Sequence, residues 1–312
     1  MPRMAAIGEC MIELSRDRAC DSKQYRLGYG GDTLNVVLYF ARWGGRADYV
    51  TLLGDDPFSR DMVADWQAEN IGVSLVRTIP NRQPGLYIIE TDERGERRFT
   101  YWRDRSPAQE IFELDGCADL LKNLTPFDYI YFSGITLSLF SQKSLDIFWD
   151  FLTRYKQAGG KVICDLNYRS AGWKSREYAQ DIIMRFISLT DIALPGLDDE
   201  HGLYGACTIA QTMERYQKFG VPEVVLKCGE KGCVIWYENQ MKEMTTDSIQ
   251  NPLDTTAAGD GFNGGYLAAR LAGIPPEEAV IYGQKTASLI VQYPGAIVPK
   301  SNWPADYTMG ND

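Results

Sequence analysis

Asp254-Thr255-Thr256-Ala257-Ala258-Gly259-Asp260-Gly261-Phe262-Asn263-Gly264-Gly265 is the stretch on which the reading of this chain turns. Two acids, Asp254 and Asp260, bracket small or hydroxylated residues. An apolar run from Tyr266 to Leu271 follows and stops at Gly273, with Pro275-Pro276 beyond, as helices do. The small residues therefore sit where a helix begins. The first N–H groups of a helix lack intrahelical partners, and its dipole adds partial positive charge. Such a start suits a phosphate, and the absence of bulky side chains at 257–259 lets one approach the backbone. Asp260, in the first turn beside that anion, is placed to take the proton of an attacking hydroxyl. Gly259 to Gly264 also fits G-x-G-x-x-G, a dinucleotide pattern that needs a strand directly before it. Here Asp247 to Pro252 precedes, polar and with a proline, which argues against that reading. A glycine-rich helix start packed closely on another helix is the plainer alternative.

The stretch resembles D-T-x-G-A-G-D, a signature of the ribokinase-like (PfkB) carbohydrate kinases. The resemblance implies that Asp260 is the catalytic base and that Ala257, Ala258 and Gly259 line the hole for the transferring γ-phosphoryl group of ATP. Ala257 stands where the family usually has Gly, a change some of its keto-acid kinases share; alanine tolerates a positive φ poorly. Gly28-Tyr29-Gly30-Gly31-Asp32-Thr33-Leu34-Asn35 is a second match, to the family's Gly-Gly-x-x-x-Asn. Read alone, it is either a glycine turn before a helix over 33–43 or a ligand-touching turn with fixed polar groups. By resemblance, Gly30, Gly31, Asp32 and Asn35 lie near the acceptor.

Length and composition set the bounds. The chain has 312 residues, 45% of them hydrophobic, which suits one large domain or a domain with an appendage. A formal net charge of −10 argues against nucleic acid or an anionic membrane as the main partner. The N-terminus does not read as a signal peptide and no apolar run is long enough to span a membrane, so a cytoplasmic protein is expected. Seven cysteines, an odd number without C-x-x-C, suggest neither a disulfide framework nor a zinc site. His201, the one histidine, has no second histidine to help it bind a metal.

From residue 127 strands and helices alternate: strands at 129–132, 161–166, 192–194, 224–227 and 233–237, helices at 141–157, 181–189, 208–219 and 277–293. This predicts an α/β fold, a doubly wound, mainly parallel sheet with helices on both faces. Ligands then bind beyond the carboxyl ends of the strands. Residues 85–103 read differently, as a β-hairpin. With a three-residue loop, Glu93-Arg94-Gly95, Tyr87 falls opposite Tyr101 and Arg103 shares their face; an even loop would break this alignment. An exposed hairpin with ordinary cross-strand pairs is the alternative. The resemblance implies a small β-sheet lid on the single kinase domain, inserted at about 10–28 and 84–104.

By resemblance, Asn167, Lys227, Gly229 and Gly232, with Ala258 and Gly259, lie along ATP. Gly283, Gln284 and Ser288 form the adenine wall. Asp199, in Pro195-Gly196-Leu197-Asp198-Asp199-Glu200, falls where many members carry a glutamate that organises Mg²⁺ through water. An acidic helix start favoured by the dipole explains the same residues. The Gly295-Ala296 turn implies a monovalent cation such as K⁺.

The acceptor is read from the lid. A sugar acid needs cations, and the fork of an arginine suits a carboxylate; Arg103 and Arg169 are the candidates. With Tyr87 and Tyr101 they resemble the family's kinases for 2-keto-3-deoxygluconate. ATP-dependent phosphorylation at the 6-hydroxyl follows as the expected activity. A fructose- or ribose-type kinase, and a sugar-acid-binding protein without turnover, stay as alternatives. Exposed lid strands suggest a homo-oligomer.

Overall fold

The structure, a computed structural model, describes residues 1–16, 24–91, 97–247, 249 and 252–309. Its larger sheet has nine strands in the order Gln240–Met244, Cys233–Tyr237, Glu223–Lys227, Ile192–Ala193, Lys161–Asp165, Tyr129–Ser133, Arg3–Ile7, Arg46–Gly54 and Val76–Ile79. All neighbours are parallel except the last hairpin, where Glu223–Lys227, Cys233–Tyr237 and Gln240–Met244 pair antiparallel. Strands such as Val162-Ile163-Cys164 are apolar and buried on both faces, as a parallel sheet covered on both sides requires.

Successive side chains on a strand point to opposite faces, so the sheet feeds two cores. Ala5 and Ile7 join Phe132, Phe148 and Phe186 under the helices Gln142–Gln157, Arg176–Ile187 and Ile209–Lys218. Met4 and Ala6 join Tyr39, Tyr49, Trp66 and Tyr266 under Asp32–Arg42, Pro57–Ala68, Ala258–Leu271 and Pro276–Ile290.

A second sheet of four strands has the order Tyr25–Gly30, Met11–Arg16, Leu86–Thr91, Arg97–Trp102. Its hairpin pairs Tyr87 with Tyr101 and Leu86 with Trp102, the register of an odd loop. The loop residues Glu93, Arg94 and Gly95 lie outside the described residues, as does Cys20.

Several boundaries depart from the sequence reading. The helix expected over 181–189 is Arg176–Ile187, because the Ser175 side chain accepts a hydrogen bond from the Tyr178 amide and starts it earlier. The lid insertion expected to end at about 28 runs on as a strand to Gly30. The helices Cys117–Leu124 and Gly134–Leu139 escaped the reading; the second starts on a capping box made by Ser133 and Thr136. The edge strand Gln240–Met244 escaped it too, being almost wholly exposed and so without alternation.

Candidate active site

Ala257 is the N-cap of the helix Ala258–Leu271, and it has a left-handed backbone, φ 59°. The first intrahelical bond runs from the Gly261 amide to the Ala257 carbonyl, at 2.8 Å. The amides of Gly259 and Asp260 therefore precede the hydrogen-bonded part of the helix and face outward as donors. Three glycines further on do different work. A Cβ on Gly261 would fall 2.0 Å from Ile290 Cδ1, one on Gly264 2.8 Å from the Val36 carbonyl oxygen, and one on Gly265 2.5 Å from that of Tyr282. These glycines let the helix lie close against its neighbours on either side. The glycine richness thus has two causes, helix packing at 261–265 and an open backbone at 257–259.

Asp260 stands on the wall of a cavity of about 660 Å³. Gly30, Gly31, Asp32, Asn35, Tyr87 and Tyr101 line it on one side, and Asn167, Arg169, Asp199 and Lys227 on the other. A second cavity, about 260 Å³, meets it at Lys227, Gly229, Thr255 and Gly259. Gly232, Ala258, Gln284 and Ser288 line this narrower, largely apolar space. The junction of the two is the start of the helix that carries Asp260.

Asn35 Nδ2 donates to Asp260 Oδ2 at 2.9 Å, and Asn35 Oδ1 is buried without a hydrogen-bond partner. Burial pushes the Asp260 carboxyl up to about 7; the nearby Asp32 charge adds to this, Asn35 opposes it, Asp165 adds again and Lys227 opposes. Asp32, half-buried and held by Ser133 and Asn167, is raised as well, mainly by desolvation. A carboxylate held near neutrality, half-buried and beside outward amides, can accept a proton from a hydroxyl brought into the cavity.

Asn167 lies in the larger cavity, where its Nδ2 donates to Asp32 Oδ2 at 2.8 Å. It does not line the smaller space that Gln284 and Ser288 share. Gly283 lines neither cavity: a Cβ there would meet the Phe262 carbonyl oxygen at 2.8 Å, so this glycine serves the contact between helices. Arg169 Nη1 donates to Asp199 Oδ1 at 2.5 Å, which joins the cavity's arginine to the acidic turn. Arg103 does not line the cavity. Its guanidinium is paired with the buried Glu9 and lies 5.8 Å from the centre of the Tyr101 ring. Among the described residues no group of three or more acidic, histidine or cysteine side chains could hold a metal ion. Asp198 and Asp199 on the cavity wall fit a Mg²⁺ that keeps most of its waters and is held chiefly by phosphate. The Asp254 carboxylate ties its loop to the turn at 295, accepting from the Thr256 amide at 2.7 Å and the Gly295 amide at 2.8 Å.

Sequence reasoning passed over Asp165 and Asn263. Asp165 ends an apolar strand, is buried, and accepts from Lys227 Nζ at 3.0 Å and from Asn263 Nδ2 at 2.6 Å. Lys227 Nζ also donates to Asn263 Oδ1 at 3.0 Å. This network fixes the lysine beside the helix start. A charged residue closing an otherwise apolar strand was the available signal.

Fold and site together define a carbohydrate kinase. The match to a family model bears this out: the chain belongs to the pfkB family of carbohydrate kinases, with residues 1–303 matched. It is 42% identical to the 2-dehydro-3-deoxygluconokinase of Escherichia coli K12 over 311 residues, covering 97% of this chain and 99% of that one. A fructokinase of Vibrio alginolyticus is 27% identical, over 77% of this chain and 75% of its own length. Among solved structures, a double mutant of the Vibrio cholerae O395 fructokinase, bound to fructose, ADP and potassium ion, superposes with a TM-score of 0.81 at 26% identity. That match covers 95% of this chain and 94% of the other.

Proposed function

We propose that the chain is an ATP-dependent 2-dehydro-3-deoxygluconokinase. The observation that carries the reading is Asp260, a half-buried carboxylate raised to about 7 at the meeting of a wide polar cavity and a narrower apolar one. The acceptor enters the larger cavity, and ATP places its adenosine in the smaller, with its phosphates at the junction of the two. The 6-hydroxyl oxygen attacks the γ-phosphorus, the bond from that phosphorus to the bridging oxygen of ADP breaks, and the hydroxyl proton passes to Asp260. The outward amides of Gly259 and Asp260 take the charge that develops on the phosphoryl oxygens, and a Mg²⁺ bound there would supply further charge neutralisation. Lys227, Gly229 and Gly232 run along the nucleotide's phosphates, and Gln284 and Ser288 border its base. Asp199 would hold a Mg²⁺, and the turn tied down by Asp254 suits a monovalent cation such as K⁺.

For the acceptor, Gly30, Gly31, Asp32 and Asn35 hold hydroxyls, and the unsatisfied Asn35 Oδ1 awaits a donor. Tyr87 and Tyr101, with ring centroids 5.9 Å apart, cover the sugar chain. Arg169 on the cavity wall supplies a cation for a carboxylate, and Arg103, behind the Tyr101 ring that lines the cavity, supplies a second. The identity of 42% to a kinase named for the keto acid, against 27% to a fructokinase, supports the acid over a neutral sugar. Leu27 and Trp102 are exposed on the face of the small sheet away from the cavity, and among the described residues both its edge strands lack a further partner in the sheet. A second copy of the chain is the partner that fits this apolar, strand-edged surface.

The test is product identification. With ATP, Mg²⁺ and 2-dehydro-3-deoxy-D-gluconate, the phosphorus NMR spectrum should gain a monoester signal split by a CH₂ group. A monoester coupled to a CH, or no new ester, overturns the proposal.

A further inference from the structure

The main sheet and the lid are joined at four crossings of the chain, near Gly8–Cys10, Gly30–Gly31, Gly85 and Arg103. Glu9 stands where these crossings converge. A Cβ on Gly31 would fall 2.1 Å from the Glu9 carbonyl oxygen. One on Gly85 would fall 3.2 Å from Glu9 Oε1 and 3.1 Å from Arg103 Cβ. The Glu9 side chain is 2% exposed, and its ionic partner is Arg103, whose side chain is 22% exposed. Arg103 is fixed from the other side as well, since its carbonyl accepts from Gln109 Nε2 at 2.6 Å and from the Ser106 amide at 2.9 Å.

A carboxylate is not left in such a place without a reason, because burying an ion costs several kcal/mol even when it is paired. Burial raises the Glu9 carboxyl, against Arg103 and Ser106, and the Asp32 charge adds to the rise. The pair is also unfinished: Glu9 Oε1 and Arg103 Nε are both buried without a hydrogen-bond partner. A guanidinium carries five donors in a planar fork. It can satisfy Glu9 along one edge and offer its remaining N–H groups to a second carboxylate.

We propose that Glu9 is a positioning residue for acceptor specificity: its buried carboxylate fixes Arg103 at the lid hinge, beneath Tyr101, so that the fork's remaining donors serve the carboxylate of an acidic acceptor. The inference rests on the reading above that Arg103 meets that carboxylate. Glu9 lines neither cavity and touches no reacting atom. Its effect therefore appears in the binding of acids and not in phosphoryl transfer.

The experiment compares Glu9→Gln, Arg103→Ala and the double variant, with fructose as a neutral competitor read by its inhibition constant. Glu9→Gln should raise the KM for 2-dehydro-3-deoxygluconate about tenfold or more, as loss of a charge-assisted contact does. Its kcat and the fructose constant should stay within about twofold, below the tenfold that 1.4 kcal/mol represents. The double variant should be no worse than Arg103→Ala, since both changes strike one interaction. Should Glu9→Gln not fold, Glu9→Asp keeps the charge, shortens its reach and carries the same test with a smaller rise. An unchanged KM for the keto acid in Glu9→Gln, while Arg103→Ala raises it, overturns this inference alone. Equal weakening toward fructose and the keto acid also overturns it, as a general loss of lid structure. An unchanged KM in Arg103→Ala removes the reading beneath it as well.

Discussion

Two residues carry most of what the chemistry requires, and both were conspicuous in the sequence. Asp260 was legible because its neighbours are small and a helix pattern follows directly; only the three-dimensional structure shows why its carboxyl sits near 7. That requires burial and the Asp32 charge, which come from segments far apart in the chain. The base works ionised, so kcat/KM should fall about tenfold per pH unit below 7 and level off above it. Asp32 is the largest charge lifting the carboxyl, so Asp32→Asn should move that limb to lower pH even as it weakens the acceptor. A limb that stays in place would show that burial alone sets it. Ala257 is the second case. The sequence marks it as an odd residue for a left-handed position, and the backbone does take that conformation. An L-residue there costs roughly 1–2 kcal/mol. Ala257→Gly should therefore raise the unfolding free energy by up to about 1 kcal/mol once the glycine's unfolded-state entropy is counted, read as a higher urea midpoint at constant m. An unchanged or lower midpoint would mean that the helix start is not strained.

At the scale of elements, strands and helices with apolar periodicity could be read directly, because burial on one or both faces leaves its mark on residue order. The exposed strand Gln240–Met244 could not, since solvent imposes no pattern, and the helices Cys117–Leu124 and Gly134–Leu139 are too short for a repeat to stand out. The glycines of the helix Ala258–Leu271 show a subtler limit. Their spacing mimics a nucleotide-binding fingerprint, yet Gly264 and Gly265 lie against backbone carbonyls of the helices on either side. Gly265→Ala should cost about 1–3 kcal/mol by overpacking. It is read as a fall in melting temperature with acceptor KM little changed. Unaltered melting would indicate that the neighbouring helix moves freely. The lid hairpin is the opposite case: one assumption about loop parity put Tyr87 opposite Tyr101, and the pairing has that register. What sequence spacing could not supply is the environment of Arg103, because Glu9 reaches it from a segment 94 positions away.

For the whole molecule, the alternation of strands and helices announced a doubly wound sheet, and the pfkB match places the chain among carbohydrate kinases. A helix start at the carboxyl ends of the strands, between a wide polar cavity and a narrower apolar one, follows from that topology. The exposed aromatic and aliphatic side chains of the small sheet belong to the same scale. Leu27→Glu with Trp102→Glu should convert a dimer to a monomer in sedimentation, while a wild-type chain that sediments as a monomer would remove the self-association reading.

The measurement that bears most directly on the central claim is ADP release with ATP and Mg²⁺, for the wild-type chain and Asp260→Asn in parallel. The acceptors are 2-dehydro-3-deoxygluconate, fructose, ribose and gluconate, compared by kcat/KM. The account predicts a clear preference for the keto acid and a loss of about 10²–10⁴-fold in kcat in the variant, the range of a general base. Near-normal turnover by Asp260→Asn, or a preference for fructose or ribose, would contradict it.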